Sequence, residues 1–443
     1  MPIRPLAARI TKLLPVLVRY GAGIGVRGLE VVGKLGLYML AARSLGAHDA
    51  GMFFLCLTWA GLAASIARMG LDRALTRHVA AELAVGAGRA ARADVISGMI
   101  WSMLASLVAG ALTYAVAQPA ALYLFAEPAL AGPFALAAFA IPPLALSVMV
   151  GSVLAGLQQG VLAQFVQNAL WPLLTLVALV AFATKLDELL LAMIASMTIA
   201  GLAGLAPIVR WFLRAGDATA SVAVEGEGMG AGMGAAAALP GLWRTALPLS
   251  VVEIIQVSLV SLPMLALGVF ATPAEVGAFS IAHRISMLIL VVIMSIGAIA
   301  APSFAACHRR GEIDELRRIN RQTRLVVLLF GLPGIAVMAL FPATLLNLIG
   351  PGFDIARTAL IIMAMGQLVS CLLPCQDIVL AMTGHGAYLR TLNLIQFITC
   401  VVLGALLLPA FGASGAALVA AIGVAQGAIG TTLMLRRVMP GAF

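Results

Sequence analysis

Twelve apolar runs, each about 20 residues long, follow one another along the chain. They cover 18–42, 50–70, 94–117, 133–156, 162–183 and 188–210, then 245–269, 277–302, 323–346, 358–380, 389–409 and 414–436. Each is long enough to cross a hydrocarbon core of about 30 Å as a helix. Lipid offers backbone N–H and C=O groups no water, so a spanning segment must pair its own polar groups or join a closed barrel. Barrel strands would show as alternating segments of about ten residues, and the sequence contains none. The expected fold class is an all-α polytopic membrane protein. A composition that is 62% hydrophobic and only 10% charged excludes a water-soluble globule.

The basic residues orient this array. With the N-terminus inside, 21 of the 27 Lys and Arg residues fall at the cytoplasmic face. Only Arg43, Lys185 and Arg357 fall outside, and Arg27, Lys34 and Arg284 lie within spans. Both termini are therefore expected in the cytoplasm. This use of positive charge also accounts for the net charge of +9 without nucleic acid as a partner. The segment "PLAARITKLLPVLVRY" reads as a basic surface helix or a positive tail, and no cleavable signal peptide is expected.

The two halves repeat at an offset of 226 residues: Gly51 matches Gly277, Leu154-Ala155 matches Leu380-Ala381, Gly160 matches Gly386, and Ala195 matches Ala421. Six spans per copy leave both copies in the same orientation, an arrangement used by secondary transporters. The expected division is a six-helix lobe at 1–215, a Gly/Ala-rich cytoplasmic linker at 216–241, and a second six-helix lobe at 242–443. Within the linker, "GEGMGAG" lacks the preceding strand that a nucleotide-binding loop requires.

Charges inside spans are the candidate functional residues, because each costs about 2.5–3.5 kcal/mol to insert. Arg27, Glu30 and Lys34 share one helical face of the first span, where Glu30 can pair with both neighbours. Gly21, Gly25 and Gly28 fall on the opposite face, expected to pack against a neighbouring helix. The seventh span carries Glu253 and Gln256, the eighth His283 and Arg284, and the tenth Gln367, Gln376 and Asp377. Further amides are Gln164, Gln167 and Asn168 in the fifth span and Asn393 and Gln396 in the eleventh. Such groups either line a hydrophilic cavity or hold helices together. The loop 307–324 reads as a basic helix with Arg317, Arg321 and Arg324 on one face, an anchor for anionic lipid or a gate. No catalytic or metal constellation is expected: the five histidines form no evident cluster, and Cys371 and Cys375 lack the further ligands of a metal site.

Several stretches together resemble the multidrug/oligosaccharidyl-lipid/polysaccharide flippase superfamily, and within it the bacterial polysaccharide (O-antigen type) flippases. They are "LAARSLGAHDAGMFFL" (40–55), "GLDRALTRHVA" (70–80), "IGPGFDIARTALIIMAMGQLV" (349–369), "VLAMTGHGAYLRTLNLIQ" (379–396) and "LLPAFGASGAALVAAIG" (407–423). The resemblance implies a V-shaped pair of six-helix lobes. It also implies a cationic cavity for the pyrophosphate and sugars of an undecaprenyl-linked oligosaccharide, working by alternating access in the bacterial inner membrane. On that likeness Arg27, Lys34 and Arg284 would bind the diphosphate, Glu30 would orient the two basic residues beside it, and Glu253 and Gln256 would meet sugars. Glu30 and Glu253 depart from a purely cationic cavity. With Asp377 they are candidates for coupling to H+ or Na+; no other cofactor is implied. A polysaccharide polymerase and a chain-length regulator are the candidate protein partners. The rival readings are a cation-coupled multidrug exporter of the same superfamily and a membrane-embedded glycosyl- or acyltransferase.

Overall fold

A computed structural model describes the backbone of residues 4–182, 185–222 and 241–442 and the side chains of 23, 25–182, 185–213 and 241–441. Most of the expected linker, 223–240, lies outside the described residues, as do the surroundings of Gly21 and the side chains of the basic N-terminal segment.

Helices account for nearly all of the described chain: α1 (Arg4–Arg68), α2 (Leu71–Ala84), α3 (Gly88–Pro119), α4 (Ala131–Ala138), α5 (Ile141–Gly156), α6 (Gly160–Gln164), α7 (Leu170–Ala181), α8 (Leu186–Val222), α9 (Leu242–Phe270), α10 (Pro273–Arg310), α11 (Ile313–Leu340), α12 (Pro342–Asn347), α13 (Arg357–Leu372), α14 (Gln376–Met382) and α15 (Gly386–Val438). Among the described residues, ten continuous helical stretches are long and apolar enough to span a membrane. Each of the twelve expected spans overlaps one of them, and two stretches hold two spans each; the ninth and tenth expected spans, 323–346 and 358–380, run past the helix ends at Leu340 and Leu372, the tenth across a break before α14. α1 breaks at Gly46 (φ 77°) and α15 at Gly412 (φ 51°), each between two of the expected spans. Both glycines take the left-handed backbone that residues with a Cβ avoid.

Local chemistry sets several boundaries. α10 begins with Pro273 behind a reciprocal capping box: the Thr272 hydroxyl accepts from Glu275 N, and the Glu275 carboxylate accepts from Thr272 N. It ends at Gly311 (φ 72°), after His308, Arg309 and Arg310 in the last turn. The expected basic loop helix is the first part of α11, which opens with Asp314 and Glu315 and runs on into the ninth span.

Contacts group the described chain into two compact units, each assembled from distant segments. One comprises Met1–Leu40, Ala60–Gln118 and Gly132–Glu253; the other comprises Ala41–Trp59, Pro119–Ala131 and Ile254–Phe443. In the first, α5 packs against α2 and α8, and α7 packs against α8. Leu71, Leu75 and Val79 of α2 meet Met149 and Val153 of α5, Ile208 of α8, and Leu242 and Ala246 of α9 in a buried core. In the second, α13 packs against α11 and α15, and α10 against α11. Phe304, Leu316, Val379 and Leu435 are buried together.

The internal repeat has a physical counterpart in the second unit. A methyl on Gly51 would lie 2.9 Å from Gly277 N and overlap the Pro273 carbonyl. A methyl on Gly277 would lie 2.9 Å from Gly51 N and overlap the Ala47 carbonyl. Ala47 and Pro273 are themselves 226 residues apart. Each residue thus meets the repeat mate of its partner's neighbour, which is the signature of a two-fold contact. Only glycine lets the two helix starts approach this closely.

Candidate functional site

The intramembrane charges of the first span form one hydrogen-bonded cluster. Glu30 Oε2 accepts from Arg27 Nη1 at 3.1 Å, and Oε1 accepts from Lys34 Nζ at 2.9 Å. A third donor comes from α6: Gln164 Nε2 reaches Glu30 Oε2 at 2.7 Å. The carboxylate is 11% exposed, Lys34 29% and Arg27 48%, so the acid is the root and the two cations point outward from it. Gln164 directly precedes a π-helical turn at 165–169, a departure from α-geometry that is frequent at functional sites. The cluster carries one net positive charge. Its guanidinium uses one of five N–H donors on Glu30, so it suits an anion that approaches the exposed face.

The glycine expectation is corrected. Gly25 and Gly28 are exposed, with nothing that an added Cβ would meet within 4 Å. The tightly packed glycines are Gly33 and Gly36, against Leu173 and Leu176 of α7. Helical angle alone ranks faces against one another. The neighbour chose the face next to Glu30, where Gln164 completes the cluster.

Glu253 lies in a different setting from the one its sequence position suggests. Its Oε1 accepts from Arg68 Nη2 at 3.1 Å and from Ser65 Oγ at 3.4 Å. Its Oε2 lies 3.0 Å from Arg73 Nε, and Arg68 Nε also lies 3.4 Å from Asp72 Oδ2. Two arginines and two carboxylates make a neutral network, with Arg68, Asp72 and Glu253 all buried. Beside it, Gly70 (φ 71°) brings the start of α2 against α9: an added Cβ would lie 2.6 Å from Ser250 N. The repeat offset pairs Glu253 with Arg27 and Gln256 with Glu30, so equivalent positions carry opposite or missing charge. Gln256 is exposed on α9.

Gln167 and Asn168 lie in the π-helical turn after Gln164, and the remaining candidates lie in the second unit. The Arg284 guanidinium sits over the Phe54 ring, 4.6 Å from its centroid, in a cation–π contact. His283 stacks on Phe279. Asp377 is exposed in the first turn of α14, where the helix dipole favours an acid. Gln376 and Asn320 form a buried reciprocal amide pair at 3.1 and 3.3 Å. Gln367 donates to Ser286, and Gln396 to the Gly423 carbonyl. These amides act as ties between helices. Arg317, Arg321 and Arg324 line a recess of about 400 Å³ together with that amide pair.

Sequence reasoning missed one cluster. His78 and Glu82, one turn apart on α2, meet Asp94 of α3. His78 Nδ1 lies 2.8 Å from Asp94 Oδ2, and its Nε2 lies 3.0 Å from Thr245 Oγ1 of α9. Burial and the neighbouring Asp94 carboxylate push the Glu82 carboxyl above its ordinary value. The i, i+4 spacing of His78 and Glu82 was the available signal.

The family model described as "Polysaccharide biosynthesis protein" matches residues 24–308, well over half of the chain. The chain belongs to that family. A second model, MatE, matches residues 248–406. The probable flippase AglR of Haloferax volcanii is 27% identical over 169 residues, or 37% of this chain and 35% of AglR. That match spans about a third of the relative's length. Among solved structures, lipid II flippase MurJ in an inward closed conformation superimposes with a TM-score of 0.74 at 10% identity, over 94% of this chain and 87% of MurJ. An inward-facing multidrug resistance MATE family transporter gives 0.63 at 17% identity, over 93% and 95% of the two chains. The polysaccharide biosynthesis family member therefore has the fold of the MOP superfamily of flippases and transporters, and it is a multi-pass membrane protein.

Proposed function

We propose that this protein flips an undecaprenyl-diphosphate-linked oligosaccharide across the bacterial plasma membrane by alternating access, with both termini in the cytoplasm, for cell-surface polysaccharide assembly. The observation that carries the reading is the cluster on the first span: two cations held outward by one buried carboxylate, within a family named for polysaccharide biosynthesis. A diphosphate offers several anionic oxygens, and a guanidinium with an ammonium beside it is suited to them. In this reading Arg27 and Lys34 bind the diphosphate, Arg284 assists, and Gln256 meets sugar hydroxyls. Glu30 positions the two cations, and protonating it would release both, which makes it the carboxylate best placed to couple transport to H+. Glu253, held by Arg68 and Arg73, serves as a structural tie more readily than as a sugar contact or an ion site. The polymerase and chain-length regulator that act on the same polysaccharide are the proposed protein partners.

The MatE match favours one second reading, a cation-coupled multidrug exporter. The net positive charge of the first-span cluster weighs against organic cations as cargo. The deciding experiment combines Arg27→Ala with Lys34→Ala in a strain that depends on this gene. Surface polysaccharide should be lost while the protein level is unchanged. Normal polysaccharide at normal protein level would refute the diphosphate role, and drug sensitivity of the deletion strain would favour the exporter.

A further inference from the structure

We propose that His78, Glu82 and Asp94 form a binding site for a divalent transition-metal ion, with Thr245 as the outer partner of the histidine. The ligand atoms of the three residues all lie within 4.8 Å of one another. A zinc ion with bonds of about 2.0–2.2 Å holds its ligand atoms roughly 3–3.5 Å apart. The His78 Nδ1 to Asp94 Oδ2 spacing of 2.8 Å is already near that value, so Glu82 is the ligand that has to close in.

Three further observations point to a cation. First, the two carboxylates share the site with no basic counterpart but the imidazole. Among the described residues neither Glu82 nor Asp94 has a lysine or arginine ion-pair partner, although arginines are plentiful in this part of the chain. Second, Glu82 Oε2 is buried and has no hydrogen-bond partner among the described residues, a costly state for a carboxylate oxygen and one that a metal bond would satisfy. Third, the other histidine nitrogen is already engaged. Nε2 lies 3.0 Å from the Thr245 hydroxyl, and His78 is 2% exposed. A metal-bound imidazole characteristically donates its second N–H to such a partner, which fixes the tautomer and leaves Nδ1 to coordinate.

Two carboxylates and a neutral imidazole balance a charge of +2. The nitrogen ligand favours zinc, manganese or iron over magnesium or calcium, which take all-oxygen sites. Because Thr245 lies near the start of α9, an ion here joins α2, α3 and α9 through one short chain of bonds. The site is separate from the cluster on the first span and does not depend on the proposed cargo.

The test uses the full chain purified with its affinity histidine tag removed, stripped with a chelator, and reloaded with Zn2+, with Mg2+ as the control. Expected are one tightly bound Zn2+ per chain by elemental analysis, a higher melting temperature with Zn2+ than with Mg2+, and a Co2+ absorption spectrum with nitrogen and oxygen ligands. Glu82→Gln, which disturbs neither the His78–Asp94 nor the His78–Thr245 contact, should abolish stoichiometric uptake in a protein that still elutes as a single species. Thr245→Val should weaken binding about 10–100-fold. Absence of stoichiometric Zn2+ in the wild-type chain would overturn the proposal. So would uptake that survives both Glu82→Gln and His78→Gln.

Discussion

Replacing Glu253 by alanine removes the common acceptor of Arg68, Arg73 and Ser65 and leaves a buried site with one excess positive charge. Breaking a buried ion pair from one side costs about 3–5 kcal/mol, because the remaining charge is stranded. Two features move the expected value to the lower part of that range. Arg68 keeps Asp72 at 3.4 Å as a second counter-ion. Arg73 is 45% exposed, so solvent screens its share to about 0–1 kcal/mol. We therefore expect Glu253→Ala to destabilise the protein by about 3 kcal/mol and Arg73→Ala by less than about 1 kcal/mol. The assay is unfolding of the purified protein in mixed micelles, with both variants and the wild type melted side by side. A double variant, Arg68→Met with Glu253→Met, tests the physical cause. If stranded charge is the main penalty, the pair lost together costs less than the sum of the two single losses. Additive losses, or a Glu253→Ala variant as stable as the wild type, would refute the argument.

Four shorter predictions follow from named contacts. Gly277→Ala places a methyl inside the Ala47 carbonyl and should sharply reduce the monodisperse fraction in size-exclusion chromatography, whereas Gly25→Ala, in open space, should leave it unchanged. Gly70→Ala combines a φ of 71° with a close approach to Ser250 and should cost more than the roughly 1–2 kcal/mol of the left-handed backbone alone, read from the same melts. Gln164→Leu removes the donor at 2.7 Å from Glu30 and should lower transport in a surface-polysaccharide assay while the protein level holds. Glu30→Gln leaves Arg27 and Lys34 without their shared anion; the expected result is tighter retention of a phosphate-bearing lipid with slower turnover, measured by substrate co-purification beside the same assay.

The spans were legible because bilayer thickness imposes their length, and the turns at Gly46 and Gly412 fall where the apolar runs are interrupted. The first-span cluster was legible for a similar reason: spacings of three and four residues bring Arg27, Glu30 and Lys34 together on any helix. Gln164 was readable as a polar residue but not as their partner, since 134 residues separate it from Glu30. Glu253 shows the limit most clearly. Its neighbours along α9 say nothing of Arg68, 185 residues away, so a carboxylate readable either as lining a cavity or as tying helices together gave no sign of the two arginines that meet it. Helical angle did place Gly25 and Gly28 away from the charges; it could not say that Leu173 and Leu176 would pack beside Glu30 instead.

The reciprocal meeting of Gly51 and Gly277 is the contact that a symmetric dimer would make with itself, here made within one polypeptide. A true dimer of identical halves would carry the same residue at both members of every related pair. Joining the halves removes that restriction while the crowded glycine contact retains it locally. Elsewhere the copies diverge: position 27 is an arginine where its mate, 253, is a glutamate, and position 30 is a glutamate where its mate, 256, is a glutamine. One half therefore carries two outward-pointing cations at this place while the other turns the equivalent position into an internal brace, a division of labour closed to two identical subunits.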